Sequence, residues 1–527
     1  MHSILPPTSS AHTMAQAVRA AYQSGEEDET LEPLVLVDAA GRPVGRISNG
    51  DYVIFYDIRG EREVELTRAF TDLDFIHFQR RPLHVHFTTM IQYASNLNVA
   101  VAFPPEGRLN DALVDVISAA GRRQIVICES EKAIHVSFFF NGKKYDPVAG
   151  QERVVIPSPR VADYSTTPAM AAPAVADAIL NALENSAYDF ILANFANVDV
   201  IGHIESPPAI RAAVEVVDRE VGRVVEKAHQ AGVVTVITAD HGTVERWFYP
   251  DGTVDTGHTD SPTPFILIAP DWPAARLRPA GELSDVAPTV LDLLGLPTPP
   301  AMTGRSLLEE KPPAGRRVLL LVLDGWGYRS ESHGNLIAQA HTPYMDALSR
   351  QYPMSHLEAA GLAVGMPAGA VGNSEVGHLH LGAGRRIYSD RVRIDRSIQD
   401  GTFFRNAVLI QAMEGARRSR RPLHLLGIVS FYSSHGSLDH LKALLCMAAE
   451  HRPPEVYLHA LLGRRGERPE SGAAYIEEVG REMERLGIGQ VVSVIGRYWA
   501  LDREENWDRI EKTYRLLVDG VGRPVFA

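Results

Sequence analysis

Cysteine is almost missing from this chain: Cys128 and Cys446 are the only two in 527 residues. Both stand in apolar runs, QIVICES and KALLCMAAE, and are expected as buried free thiols in a reducing compartment rather than as a disulfide framework. Aromatic residues are sparse as well, at 7%. No apolar run approaches the ~20 residues that span a bilayer. The first thirty residues lack the charged start and apolar core of a secretory signal, so a soluble, cytoplasmic protein is expected. An excess of positive charge is also lacking: 52 Lys and Arg face 65 Asp and Glu, for a formal net charge of −13. That balance argues against nucleic acid or an anionic membrane as partner. It leaves room for a small anionic substrate held by local Arg and Lys clusters.

What is present is long enough for two or more domains. Short apolar runs ending in polar or Gly-rich turns predict buried parallel strands at 124–128, 190–195, 233–238 and 318–323. Between them, residues 210–230 repeat Val, Ala and Ile at three- and four-residue spacing, which predicts a helix. Alternating strands and helices indicate an α/β sheet, whose ligands bind beyond the carboxyl ends of its strands. Candidate ligands follow three of the predicted strands: Asp199 after one, Asp240–His241 after another, and Asp324 at the end of a third. A Pro-rich stretch at 296–316 is the simple place to divide the chain, yet candidate ligands lie on both sides of it.

The motifs carrying these residues are NVDVIGH, with Asp199 and His203 four apart, ADHG, with Asp240 and His241, GHTDSPTPF, with His258, and DGWG, opened by Asp324. A further motif, GNSEVGH, contains Ser374. Carboxylates and imidazoles together suit zinc, manganese or iron, and a pair of such ions can clamp a phosphoryl group. A serine hydroxyl is a poor nucleophile until a divalent cation stabilises its alkoxide. Each motif alone has a plainer reading: ADHG as a helix cap, GNSEVGH as a turn before a helix. Spacing alone leaves open whether they meet in space.

These stretches, with VLLLVLDGWGYR, AVGMPAGAVGNSEVGHLHLGAGR, ITADHG and SDVAPTVLDLLGLPTPPAMTGRSL, resemble the cofactor-independent phosphoglycerate mutases of the alkaline phosphatase superfamily. The resemblance covers nearly the whole chain in an exchanged order. In the family LDGWG lies near the amino terminus; here the carboxyl half comes first, as in a circular permutant. The implied fold is α/β, an alkaline-phosphatase-like metal domain plus a second α/β domain for substrate. Residues 103–389 would form the first, and 1–102 with 390–527 the second. The resemblance implies one metal held by Asp199, His203 and His258 and another by Asp324, Ser374, Asp240 and His241, with Ser374 as the nucleophile. It favours manganese, needs no bisphosphoglycerate and suggests a monomer. Arg59, Arg62 and Lys132 match the family's phosphate grip, while Arg465, Arg497, Arg503 and His435 match further substrate contacts. Bidentate guanidinium suits phosphate and carboxylate.

Two loops depart from the family. Its SDGGVHSH-like loop reads SFYSSHGS here, with Phe431 for the Asp and Ser437 for the second His. Its DGRDTPPRS-like loop reads GRRGERPES, which keeps Arg465 but puts Gly466 at an Asp position, Gly463 at an earlier Asp and Glu470 at an Arg. The lost Asp at position 466 is one that the resemblance assigns to the substrate hydroxyls, and Glu467 beside it is the candidate substitute. Interconversion of 3- and 2-phosphoglycerate through a phosphoserine is therefore the leading expectation. The alternatives are action on another phospho- or phosphono-carboxylic acid, a phosphatase, and a non-catalytic metal-binding protein, which the complete ligand set disfavours.

Overall fold

In the run VLLLVL at Val318–Leu323 every side chain is apolar and every one is buried. A strand apolar on both faces has to be covered on both faces. Leu319, Leu321 and Leu323 join a core shared with helices Ala172–Glu184 and Pro207–Gln230, while Val318, Leu320 and Val322 face helices Leu113–Ala119 and Val286–Leu294. This two-faced burial follows from the period-2 alternation of side chains along a strand. The computed structural model describes residues 9–269, 271–312, 314–431, 433–463 and 470–527.

The chain divides into two compact units, Glu106–Val392 and Met1–Pro105 with Arg393–Ala527. In Glu106–Val392 an eight-stranded sheet places Val318–Leu323 between Val234–Thr238 and Phe190–Phe195, with Gln124–Glu129 and Gln151–Ile156 beyond. These strands are parallel, whereas Thr263–Ile268 runs antiparallel to both of its neighbours. The four strands read from sequence are present, within a residue at their ends. The predicted helix starts three residues early, at Pro207. Proline suits a first helical position because its missing N–H would have no partner there. The Pro-rich stretch at 296–316 is no division: it lies inside this unit and sends Leu307 and Leu308 into the core.

The other unit has a sheet of its own, in the order Arg523–Phe526, Leu34–Val37, Gln490–Gly496, Val456–Leu462, Leu423–Ile428, Tyr52–Phe55, His86–Ile91 and Ala100–Phe103. Both ends of the chain contribute strands and pair in three places: Tyr52–Phe55 runs parallel to Leu423–Ile428, and Leu34–Val37 runs antiparallel to Gln490–Gly496 and parallel to Arg523–Phe526. A single hydrophobic core joins Met14 and Val18 from the first helix to Ile476 and Val479 from helix Gly472–Leu486. Cys128 is buried as expected, while Cys446 is part-exposed. Among the described residues no helix is long and apolar enough to cross a membrane.

Candidate metal centre

Parallel strands bring their carboxyl ends to one edge of a sheet, where side chains are free to converge. In Glu106–Val392 the register pairs Leu323 with Phe195 and Val322 with Thr238. Asp324, Asp199 in the first turn of helix Asn197–Gly202, and Asp240–His241 therefore arrive at one level. Lys132 follows Gln124–Glu129 at the same edge. Ser374 comes from a different direction, as the first residue of helix Ser374–Ala383, where the Asn373 side chain accepts a hydrogen bond from the Val376 N–H at 3.0 Å. Two glycines permit the crowding. Gly325 has φ +79°, and a Cβ there would lie 2.8 Å from the Asp199 backbone; a Cβ at Gly377 would lie 2.5 Å from the Asp240 carbonyl oxygen.

Ser374 Oγ donates to Asp324 Oδ1 at 3.2 Å, lies 3.1 Å from His241 Nε2 and accepts from Lys132 Nζ at 2.7 Å. Lys132 Nζ also donates to Asp199 Oδ2 and Asp324 Oδ1, each at 2.6 Å. Asp199 Oδ1 lies 3.1 Å from His258 Nε2 and 3.3 Å from His203 Nε2. Those imidazoles are oriented through Nδ1, 2.9 Å from the Gly372 carbonyl for His258 and 2.7 Å from the Thr256 carbonyl for His203. A carbonyl on Nδ1 fixes the proton there and leaves Nε2 as a bare acceptor, the arrangement a metal ligand requires.

That arrangement sets acceptors against acceptors. The Nε2 atoms of His203 and His258 are 3.1 Å apart, and Asp199 Oδ1 and Asp240 Oδ2 are buried without a hydrogen-bond partner. An unsatisfied buried polar atom costs about 1–3 kcal/mol, more when charged; one divalent cation at Asp199, His203 and His258 and a second at Asp240 would satisfy all four. The electrostatics agree. Burial opposes charge on His241, but Asp240, Asp324 and Asp199 more than offset it and push its pKa up to about 10. Burial likewise works against the Asp199 carboxylate, yet Lys132, His203 and His258 hold its pKa well below the usual range. Lys132 itself is driven upward by Asp324, Asp199 and Asp240, against its own burial. A field that retains protons this strongly also favours a cation.

All seven metal candidates, Asp199, His203, His258, Asp240, His241, Asp324 and Ser374, thus fall in one cluster. His378 is a residue that sequence reasoning missed. It is fully buried, with Nδ1 3.1 Å from Asp240 Oδ2 and Nε2 3.1 Å from the Asn194 amide, which in turn donates to Asp324 Oδ2 at 2.9 Å. Its signal was the i+4 spacing from Ser374 within GNSEVGH, one helical turn on the same face.

Lys132 therefore belongs to this cluster, while Arg59, Arg62, His435, Arg497 and Arg503 lie in the other unit. There Glu61 accepts from Arg59 Nη2 at 3.3 Å and from Arg503 Nη1 at 2.8 Å, and Arg62 Nη1 donates to the Leu501 carbonyl at 3.1 Å. Arg497 is buried, with Nε 3.3 Å from Glu29. His435 Nδ1 lies 2.5 Å from Glu63 Oε1; Glu63 was not a candidate, because an acidic residue in a helix's first turn ordinarily reads as solvated. Ser437, at the family's second His, caps helix Leu438–His451 by accepting from the Asp439 N–H. Phe431, at the family's Asp, is 65% exposed. Arg465, Gly466 and Glu467 lie outside the described residues.

Comparison with known families returns two matches. Residues 13–298, over half the chain, match the profile described as the metalloenzyme superfamily, and residues 394–526 match one described as "BPG-independent PGAM N-terminus". Among relatives, the 2,3-bisphosphoglycerate-independent phosphoglycerate mutase of Moorella thermoacetica is 44% identical over 56% of this chain and 58% of its own. That of Syntrophotalea carbinolica is 44% identical over 57% of this chain and 58% of its own. The chain thus spans under two thirds of the length of the curated relatives it matches. A crystal structure of Leishmania mexicana phosphoglycerate mutase aligns over 52% of this chain and 53% of its own, at 30% identity and a TM-score of 0.38, too partial a superposition to add to the argument.

Proposed function

The chain belongs to the metalloenzyme superfamily, and we propose that it is a metal-dependent phosphomutase interconverting 3-phosphoglycerate and 2-phosphoglycerate through a phosphoserine at Ser374. The observation that carries this reading is a buried serine hydroxyl within 3.2 Å of Asp324, His241 and Lys132 at the edge of a cluster of unpartnered carboxylate oxygens. Asp199, His203 and His258 would hold one divalent cation, and Asp324, Asp240, His241 and Ser374 the other. Bound there, such cations lower the pKa of the serine hydroxyl and offset charge on the transferring phosphoryl group.

The chain's own residues do the rest. Lys132 puts an ammonium 2.7 Å from Oγ, where it stabilises the alkoxide and then a phosphoryl oxygen without reorganisation. Ser374 opens a helix, so the phosphoserine forms where backbone N–H groups and the helix dipole favour an anion. His378 braces Asp240. Arg59, Arg62, Arg497, Arg503 and Arg465 are assigned to the substrate's phosphate and carboxylate, and His435 to its hydroxyl end. Manganese as the metal, a monomeric state and a cytoplasmic location complete the proposal.

We also propose the permuted order, with residues 103–389 as the metal and nucleophile domain and 1–102 with 390–527 as the substrate domain. The motif order supports it. So does the place of the match described as an amino-terminal region, which falls in the carboxyl-terminal part of this chain, at 394–526.

The test is phosphorus NMR of the manganese-loaded protein with 3-phosphoglycerate and no bisphosphoglycerate. Appearance of 2-phosphoglycerate, lost together with any phosphoenzyme in Ser374→Ala, is the expected result. Release of inorganic phosphate alone would mean that the acceptor acid is not retained. No reaction in metal-replete protein would favour a second reading, action on a different phospho- or phosphono-carboxylic acid, which the Phe431 replacement supports.

A further inference from the structure

A second buried cluster takes no part in the metal centre. Asp57 follows strand Tyr52–Phe55, Glu63 lies in the first turn of helix Gly60–Thr71, and His435 precedes helix Leu438–His451. Each offers an atom within 4.8 Å of the other two, and none is more than 2% exposed. A carboxyl in the first turn of a helix can ordinarily reach solvent, and burying it instead is costly unless it is hydrogen-bonded. Glu63 is bonded on both oxygens: Oε2 accepts from the Arg62 N–H at 3.1 Å, and Oε1 lies 2.5 Å from His435 Nδ1. The backbone of His435 is pinned as well. Its carbonyl accepts from the Ile58 N–H at 2.6 Å, and its N–H donates to Ser433 Oγ at 3.1 Å. The side-chain hydrogen bond of His435 among the described residues is through Nδ1, which leaves Nε2 available, and Asp57 Oδ2 in the same cluster is buried without a partner. The charged groups that act on the ring are Asp57, Arg497, Arg59 and Arg62, three of them guanidiniums suited to an anionic substrate.

We propose that Glu63 and His435 are the proton-transfer pair for the substrate hydroxyl, with Nε2 touching that hydroxyl and Glu63 positioning the imidazole. The proposal rests on the phosphomutase reading. A hydroxyl that accepts a phosphoryl group must lose its proton. The O–H bond breaks toward Nε2, the oxygen bonds to phosphorus, and the bond from phosphorus to the donor oxygen breaks with its electron pair on the donor. In the opposite half-reaction the proton on Nε2 goes to the substrate oxygen that phosphorus leaves.

The pair can occupy both states. Holding two protons, it has a carboxyl O–H on Nδ1 and an Nε2–H, an acid. Holding one, it has a carboxylate on Nδ1–H and a bare Nε2, a base. Burial pushes Glu63 up to about 8 and His435 down to about 4, so the exchange belongs to the pair and its loss of one proton falls near pH 8. The pair also supplies a proton acceptor in a chain that carries Phe431 and Gly466 where the family resemblance places Asp.

Glu63→Gln keeps the size of the side chain and removes its acid–base capacity. In manganese-loaded enzyme it is expected to slow 2-phosphoglycerate formation by about 10²-fold or more, the usual scale of general acid–base catalysis. It should also abolish the ionisation near pH 8 in kcat, with Glu63→Asp recovering part of the rate. Unchanged turnover and an unchanged pH profile in folded Glu63→Gln would overturn the proposal. So would a third equivalent of manganese bound by the wild type and lost in the variant, which would make the cluster a cation site. A wild type that makes no 2-phosphoglycerate overturns the phosphomutase reading alone. The pair is then judged by nitrogen NMR of His435: a titration that moves in Glu63→Gln sustains it, and an ordinary imidazole titration indifferent to Glu63 sinks it.

Discussion

At the scale of single residues, what distinguishes this site is the number of acceptors that face one another. His378 Nδ1 is hydrogen-bonded to the Ser374 carbonyl at 2.9 Å and lies 3.1 Å from Asp240 Oδ2, while its Nε2 is linked through Asn194 to Asp324. Groups that orient metal ligands typically contribute 10–100-fold to affinity. His378→Ala is therefore expected to weaken manganese binding by about that factor while the fold persists, as read by metal analysis after dialysis and by a thermal melt. Glu63 gives a pH-dependent prediction of stability. Its carboxyl is raised from the usual 4.5 to about 8 by burial, so its contribution is complete below pH 4.5 and is lost as pH rises through 8. His435, depressed by burial, acts in the opposite sense below pH 6.5, which makes pH 7 to 9 the informative window. Across it the wild type should lose on the order of 1 kcal/mol relative to Glu63→Gln, from about 1.4 kcal/mol per pH unit where only the folded state holds the proton. Denaturant melts at the two pH values measure it, and a constant difference would refute the assignment. Residue identity was readable for the seven metal candidates because each ended a strand or stood in a compact motif. It was not readable for Glu63, since nothing in its sequence neighbourhood distinguishes a buried carboxyl from a solvated one.

Elements carry the site by closeness of backbone. Helix Ser374–Ala383 approaches the Asp240 turn so nearly that a Cβ at Gly377 would lie 2.5 Å from the Asp240 carbonyl oxygen and 2.8 Å from its Cβ. Overpacking of this kind costs about 1–3 kcal/mol, and here the strain falls on a ligand and on the nucleophile's helix together. Gly377→Ala should lower the melting temperature and reduce metal occupancy at the same time; a stable variant with full occupancy would show that the helix can withdraw freely. Strands were the most legible elements. VLLLVL is continuously apolar, and FILANF nearly so, because both of their faces are covered, and that pattern needs no tertiary information. Helix ends were less so: the Pro207 start lies outside the apolar period that located the helix.

For the molecule as a whole, the decisive fact is the interleaving of strands from the two chain ends, Tyr52–Phe55 against Leu423–Ile428 and Leu34–Val37 between Gln490–Gly496 and Arg523–Phe526. The two chain ends share one sheet and one core, so neither can bury its apolar face alone. Proteolytic nicking near residues 105 and 392 is expected to leave Met1–Pro105 and Arg393–Ala527 bound to each other through gel filtration. Release of the first fragment with the second still folded would contradict the shared core.

The sequence by itself determined the fold class, the buried strands, the ligand-type residues at their ends and the serine among them, because strand patterning and ligand chemistry are local. Tertiary structure decided what depends on convergence. It placed Lys132 against Ser374, and it brought His378 beside Asp240. It also buried Glu63 against His435, 372 positions away along the chain. Such contacts are set by strand order and by the packing of helices across a sheet, and no local pattern encodes the distance between residues that meet only when the sheet has closed.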